Sequence, residues 1–354
     1  MRKELIPVTF IVIFFTSCEE YYKPSLDVGQ SMLVVESSLS NDSLHNFVKL
    51  TATTNFYSPR QFETVYGAQI KLMEIGGPIV DGTESTAGYF TFSRTPIAGK
   101  KYKIRISYIA DTFESDTVIM PPLPTIDTLY TLNAIEKSYK TDIYGVPSQV
   151  ETPGRNICID EQMTSTLQYN LFNWRAILQW VYNPPSKGGP APPSWYGWLS
   201  TYSSGEFNLA GPKIFTTTDQ IKAHPVLFIP YDSQSFLDSI KQSPMGWIVI
   251  IDQYGITKAS NDFHEQLNKQ FTADGSLFDP ILTQVTGNIH CLNNPDKIAL
   301  GFFDLNSYRQ YRYFISLGYS ELGTVIQRRI NRNMAIPDQG YYVGDFPPFW
   351  EYLY

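Results

Sequence analysis

Lys101-Tyr102-Lys103-Ile104-Arg105-Ile106-Ser107-Tyr108 carries the clearest strand pattern in the sequence. Tyr102, Ile104, Ile106 and Tyr108 alternate with Lys101, Lys103, Arg105 and Ser107. A period of two puts the first set on a buried face and the second in water, as in one strand of a sandwich. Segments of the same character lie around it at 33–35, 48–53, 68–74, 89–92 and 117–120, punctuated by the turn formers Gly76-Gly77 and Asp81-Gly82. About seven short strands within one such span are what an immunoglobulin-like sandwich requires, so residues 31–121 are read as that domain.

Outward on the C-terminal side, Pro121-Pro122-Leu123-Pro124 interrupts any ladder, because proline supplies no backbone donor and holds the chain extended. It marks a domain boundary. Residues 122–354 remain strand-rich, with 176–182, 226–229, 247–251, 299–303 and 312–316 as the segments. One helix is expected near 260–274, capped by Ser260 or Asn261 and ended by Gly275. Its apolar stripe is Phe263, Leu267 and Phe271. The fold class is therefore mainly β: a sandwich, then a second β-rich domain carrying one amphipathic helix.

Outward on the N-terminal side, residues 18–30 are polar and suit a tether. Before them Met1-Arg2-Lys3, an apolar run over 5–15 and Thr16-Ser17-Cys18 follow the order of a secretory signal over residues 1–17. The apolar run is shorter than the roughly 20 residues a membrane-spanning helix needs. Small residues before Cys18 resemble a bacterial lipobox, with Phe15 where that pattern carries Leu, Val or Ile. Cys18 then becomes the acylated first mature residue, and several acyl chains anchor a protein stably in a bilayer. Glu19-Glu20 resemble the signal that sends lipoproteins of Bacteroidota to the cell exterior.

The whole chain carries 27 basic and 34 acidic side chains. Removal of Arg2, Lys3 and Glu4 with the signal leaves 25 and 33, a formal charge of −8. An acidic chain without a basic stripe argues against nucleic acid or anionic lipid as its partner. Aromatic residues at 15% against 17% charged exclude disorder and allow a large core.

Several stretches, in order, resemble a Bacteroidota lipoprotein family known only as a domain of unknown function, number four-two-four-nine. They are Cys18-Glu19-Glu20-Tyr21-Tyr22-Lys23-Pro24, Leu33-Val34-Val35-Glu36-Ser37-Ser38-Leu39-Ser40 and Val65-Tyr66-Gly67-Ala68 leading into 70–74. The linker Pro121-Pro122-Leu123-Pro124-Thr125-Ile126-Asp127, Thr286-Gly287-Asn288-Ile289 and Ala299-Leu300-Gly301-Phe302-Phe303 complete the set. The resemblance implies an outer-membrane lipoprotein encoded beside TonB-dependent transporters, with an accessory role in substrate capture or transporter assembly. It brings no catalytic residues.

Chemistry in the sequence is sparse. His45, His224, His264 and His290 are scattered, with no zinc spacing and no phosphate, dinucleotide or nucleophile-elbow motif, so neither metal nor cofactor is expected. A Ser, His and Asp triad assembled from distant positions is recognised only by geometry. Asp160-Glu161 on a strand would face opposite ways. Cys158 and Cys291 either close a disulfide in an oxidising compartment or sit as two separate buried thiols. Asp42-Ser43-Leu44, Asp116-Thr117-Val118, Asp127-Thr128-Leu129 and Asp238-Ser239-Ile240 resemble acceptors for O-glycosylation. The most distinctive feature is the segment 183–211, read as a long Pro/Gly-rich loop holding Trp195, Tyr196, Trp198 and Tyr202. These aromatics either form a platform for a glycan, peptide or protein, or fold back to cover the core. The functional expectation is a surface lipoprotein that acts by binding and is not an enzyme. It is either an accessory subunit of a TonB-dependent outer-membrane receptor or a free-standing glycan-binding or adhesive module.

Overall fold

The computed structural model describes residues 31–54, 58–60, 62–162, 169–212, 220–231, 243–272, 284–316, 325–326, 334–344 and 347–349. Signal, Cys18, tether, Gly275 and Asp238-Ser239-Ile240 lie outside them. In chain order the strands are β1 (Leu33–Ser40), β2 (Phe47–Thr53), β3 (Phe62–Thr64), β4 (Gln69–Glu74), β5 (Ile79–Asp81), β6 (Thr83–Thr86), β7 (Tyr89–Thr91), β8 (Lys101–Tyr108), β9 (Asp111–Ser115) and β10 (Val118–Ile119). Beyond the prolines come β11 (Thr128–Thr141), β12 (Pro147–Gln162), β13 (Tyr169–Tyr182), β14 (Trp195–Tyr202), β15 (Asn208–Ala210), β16 (Gln220–Pro230) and β17 (Ser243–Ile256). Helix α1 (Lys258–Thr272) precedes β18 (Ile289–Cys291), β19 (Leu300–Phe302), β20 (Leu305–Ser316), β21 (Val325–Ile326) and β22 (Gln339–Val343).

The alternation in β8 is realised: Tyr102, Ile104 and Ile106 are buried while Lys101 is exposed. They face a core shared by two sheets, ordered β18-β9-β8-β4-β5 on one side and β1-β2-β7-β6 on the other. Val35, Leu50 and Phe90 meet them from the second sheet. Each fully buried side chain of this size stabilises the fold by roughly 1.5–3 kcal/mol.

Strand pairing crosses the proline linker. β18 adds to β9, while β19 and the start of β20 run parallel to β1, with Val34 opposite Leu300 and Leu39 opposite Leu305. Residues from 289 to 306 therefore complete the sandwich begun at residue 33. Two glycines permit this return. A Cβ on Gly301, which has a φ of +91°, would lie 1.9 Å from the Val35 carbonyl oxygen, and one on Gly287 would lie 1.9 Å from that of Gly301. Only backbone fits at such an approach. Asn288 then clamps the turn, donating to the Phe303 carbonyl at 3.0 Å and accepting its N–H at 2.8 Å.

The larger sheet continues from β1 through β20, β17, β13 and β14 to β22. β13 and β17 are covered on both faces, which is why Trp247-Ile248-Val249-Ile250-Ile251 reads as a continuous apolar run and not as an alternation. One face packs Ala176, Leu178, Val249 and Ile251 against Ile157 and Leu227 of the β11-β12-β16 sheet. The other packs Ile177, Ile248 and Ile250 beneath Ile336 and Phe349.

Helix α1 starts earlier than expected. Thr257 is the residue that caps it: its hydroxyl accepts the Ser260 N–H at 3.2 Å and its carbonyl accepts the Asn261 N–H at 2.9 Å. Ser260 and Asn261 lie inside the first turn, buried.

Candidate functional site

Between α1 and the outer face of β1 lies a cleft of about 490 Å³. β1 supplies Glu36 and Ser38, β2 Phe47, β17 Tyr254, and α1 Phe263, His264 and Leu267. The β19–β20 junction supplies Phe302, Asp304 and Asn306. The helix stripe found in the sequence thus lines the cleft with two of its members, whereas Phe271 is 60% exposed. Phe263 stacks on Phe302 with ring centres 4.8 Å apart. Asn268 holds the Phe207 backbone through two hydrogen bonds, 2.7 Å and 2.9 Å, and Phe207 meets His264 edge-on at 4.6 Å. An apolar, largely aromatic hollow with a few convergent polar groups is the ordinary form of a small-ligand site.

Its polar lining includes Glu36, Ser38, His45, Asn173, His264, Asp304 and Asn306, and Ser260 of α1 lies within 3.4 Å of His264. Burial pushes the Asp304 carboxyl above the usual range, and the neighbouring His264, Ser260 and Asn306 oppose that push. His264 Nδ1 lies 2.8 Å from the Ser260 carbonyl oxygen and 3.4 Å from its hydroxyl. A carbonyl only accepts, so Nδ1 carries the proton and cannot act as base toward that hydroxyl. Ser260 is also wholly buried. Serine, histidine and aspartate are thus neighbours without forming a nucleophile–base pair. Asp304 Oδ1 and Asn306 Oδ1 are buried without a hydrogen-bond partner, on residues that line the cleft. Among the described residues no group of three or more His, Cys, Asp or Glu side chains could hold a metal.

The aromatic segment departs from the expected loop. Trp195, Tyr196, Trp198 and Tyr202 belong to β14, which pairs with β13 on one side and β22 on the other, so the irregular part ends before Trp195. Burial splits the four: strand period turns Trp195 away from Tyr196, Trp198 and Tyr202, and Tyr202 is exposed at the strand's end. Tyr196 and Trp198 are buried, whereas Trp195 is 50% exposed. Trp198 donates its indole N–H to the Pro337 carbonyl at 3.1 Å and meets Phe349 edge-on at 5.2 Å. Tyr202, half exposed, bonds Asp338 and stacks beneath the Arg175 guanidinium. A single four-residue platform is therefore corrected to two core residues and two separated surface ones.

The disulfide alternative is corrected as well. Cys158 and Cys291 are separate buried thiols: Cys158 stands on β12 opposite Tyr130, and Cys291 on β18 opposite Phe113, in different sheets. Asp160 and Glu161 do face opposite ways. Asp160, held below the usual carboxylate range chiefly by the Ala223 N–H, also accepts the Tyr130 hydroxyl at 2.8 Å. Glu161 is buried, and desolvation lifts its carboxyl to about 7 against the hydrogen bonds from Asn170 and Gln253. His290 is exposed and faces Asp116 at 3.2 Å. Ser43, Thr117 and Thr128 are all exposed.

Sequence reasoning did not pick out Asp304, Asn306, Ser260 and His264 as a group. The available signal was an acidic residue directly after the apolar run 299–303, since a buried charge needs a reason to be there. Among the described residues no helix is long and apolar enough to cross a membrane. No curated protein and no solved structure matches the chain. A family model described as Domain of unknown function (DUF4249) matches residues 19–312, the greater part of the sequence, and the chain belongs to that family.

Proposed function

We propose that the protein is an exported lipoprotein, anchored to the outer membrane through acylated Cys18 and facing the cell exterior, that acts by binding as the accessory subunit of a TonB-dependent transporter. The order of Met1-Arg2-Lys3, apolar run and Cys18 supports the location. The observation that carries the binding reading is the cleft against α1. It is rich in aromatic side chains and of ligand size, and at its wall His264 turns Nδ1 to the Ser260 carbonyl. Glycan binding at Trp195 and Tyr202 is the competing reading, favoured only by their exposure.

A thermal-shift screen of oligosaccharides and short peptides separates the two. A ligand at one hundred times its Kd raises stability by about 2.7 kcal/mol. A shift abolished by the cleft-filling Leu267→Trp and retained in Trp195→Ala supports the cleft. The reverse pattern moves binding to β14 and contradicts it.

A further inference from the structure

We propose that the hairpin of β11 and β12 is a docking arm whose tip, Ile143 and Tyr144, seats in an apolar pocket of a partner protein. β11 and β12 pair from Thr128↔Asp160 out to Thr141↔Pro147, and β16 pairs with β12 as far as Gly154↔Pro230, the next N–H, that of Tyr231, still reaching the Pro153 carbonyl at 3.0 Å. Six pairs, from Glu136↔Thr152 outward, have no third-strand partner among the described residues. At roughly 3.3 Å per residue these pairs span about 20 Å. Two strands alone are marginal in water, so such a length gains most when something else covers it.

The tip is pre-set rather than loose. Asp142 Oδ1 accepts the N–H groups of Tyr144 and Val146, both at 2.9 Å, and its carbonyl accepts that of Gly145 at 3.0 Å. Gly145 takes the left-handed φ of +81° that closes the turn. This framework presents Ile143 at 90% and Tyr144 at 83% exposure, with Tyr139 and Val146 also exposed behind them. Large apolar side chains on a rigid turn lose little entropy on docking, which makes them effective anchors. A tyrosine buries roughly 150–250 Å², so the two tyrosines alone supply about 300–500 Å² of the ~800 Å² that one partner contributes to a standard interface, and Ile143 and Val146 add to it.

Charge decides between a protein and a lipid surface. Around the tip stand Lys137 and Lys140 against Glu136, Asp142 and Glu151. That balance offers no pull toward anionic headgroups, and the Asp142 carboxylate would enter the apolar layer beside Ile143. In a protein interface the same charges fall on the polar rim around an apolar centre. The inference rests on the transporter reading, which names the partner.

The test places a photo-crosslinking benzoylphenylalanine at position 144 of the full-length protein in cells, with position 109, another exposed turn, as control. It compares wild type with an Ile143→Ser/Tyr144→Ser variant in co-purification from mild detergent. The arm predicts an adduct of transporter mass from position 144 only, and at least a tenfold loss of co-purified transporter in the variant with an unchanged unfolding temperature. A phospholipid adduct, or undiminished recovery with the variant, overturns the arm while leaving the transporter standing. No transporter with wild type overturns the transporter reading itself, and the arm's named partner with it.

Discussion

Replacing Glu161 with glutamine should flatten the dependence of stability on pH. Glu161 sits between β12, β13 and β17, where Asn170 and Gln253 donate to it at 3.0 Å and 2.9 Å, while Gln253 Oε1 is buried without a partner. Burial lifts its carboxyl from the ordinary 4.5 to about 7. The folded protein therefore holds a proton that the unfolded chain releases between those values. The resulting stabilisation is fully present below pH 4.5 and is lost as pH rises through 7. At about 1.4 kcal/mol per pH unit, the loss comes to about 3 kcal/mol. Glutamine has no proton to lose, and its amide can donate to the orphaned Gln253 oxygen. Urea unfolding of both proteins from pH 4 to pH 8.5 is the assay. The stability of Glu161→Gln relative to wild type should grow by about 3 kcal/mol between pH 4.5 and pH 8. Asp304, also raised, is common to both proteins and cancels in the difference. Parallel pH profiles would refute the reasoning.

The two tryptophans of β14 should behave oppositely. Trp198→Ala removes a core side chain and should cost about 3–5 kcal/mol in urea unfolding, whereas Trp195→Ala should stay within about 0.5 kcal/mol. Ile109 turns the β8–β9 hairpin with a φ of +55° while 88% exposed. Ile109→Asn, a residue that tolerates this conformation, should therefore raise stability by about 1 kcal/mol. Two separate buried thiols imply that a reducing agent leaves the unfolding temperature unchanged, and that denatured, non-reduced protein takes up thiol reagent at both Cys158 and Cys291.

Much of the first sandwich was legible because β8 and its neighbours bury one face only, and a one-sided strand writes its burial as alternation. The helix was legible in type and place for the same reason, through Phe263 and Leu267. Its start was misjudged because Ser260 and Asn261 are good caps, yet Thr257, three residues earlier, is the one whose hydroxyl meets a free N–H. The long strands were only partly legible. The outer half of β11 has water on both faces and so carries no period at all. The parallel return of β19 and β20 to β1 joins residues more than 260 apart, as the bond from Ser37 to the Phe302 carbonyl illustrates. No local rhythm encodes such a contact. The cleft was illegible for that reason: β1, β17, α1 and the β19–β20 junction each contribute a few side chains, and none is unusual until they meet. In β14 the aromatic composition suggested a loop because prolines precede it, but Trp198 covers Gly340 on β22 and belongs to a ladder.

Purification of a C-terminally tagged protein from outer membranes in mild detergent, with Cys18→Ala as control, asks whether the protein is a lipid-anchored transporter subunit. The lipidated form should bring down a large TonB-dependent barrel in near-equal amount, and the control, lacking its anchor, should not. Lipoprotein recovered alone from the membrane would contradict that reading.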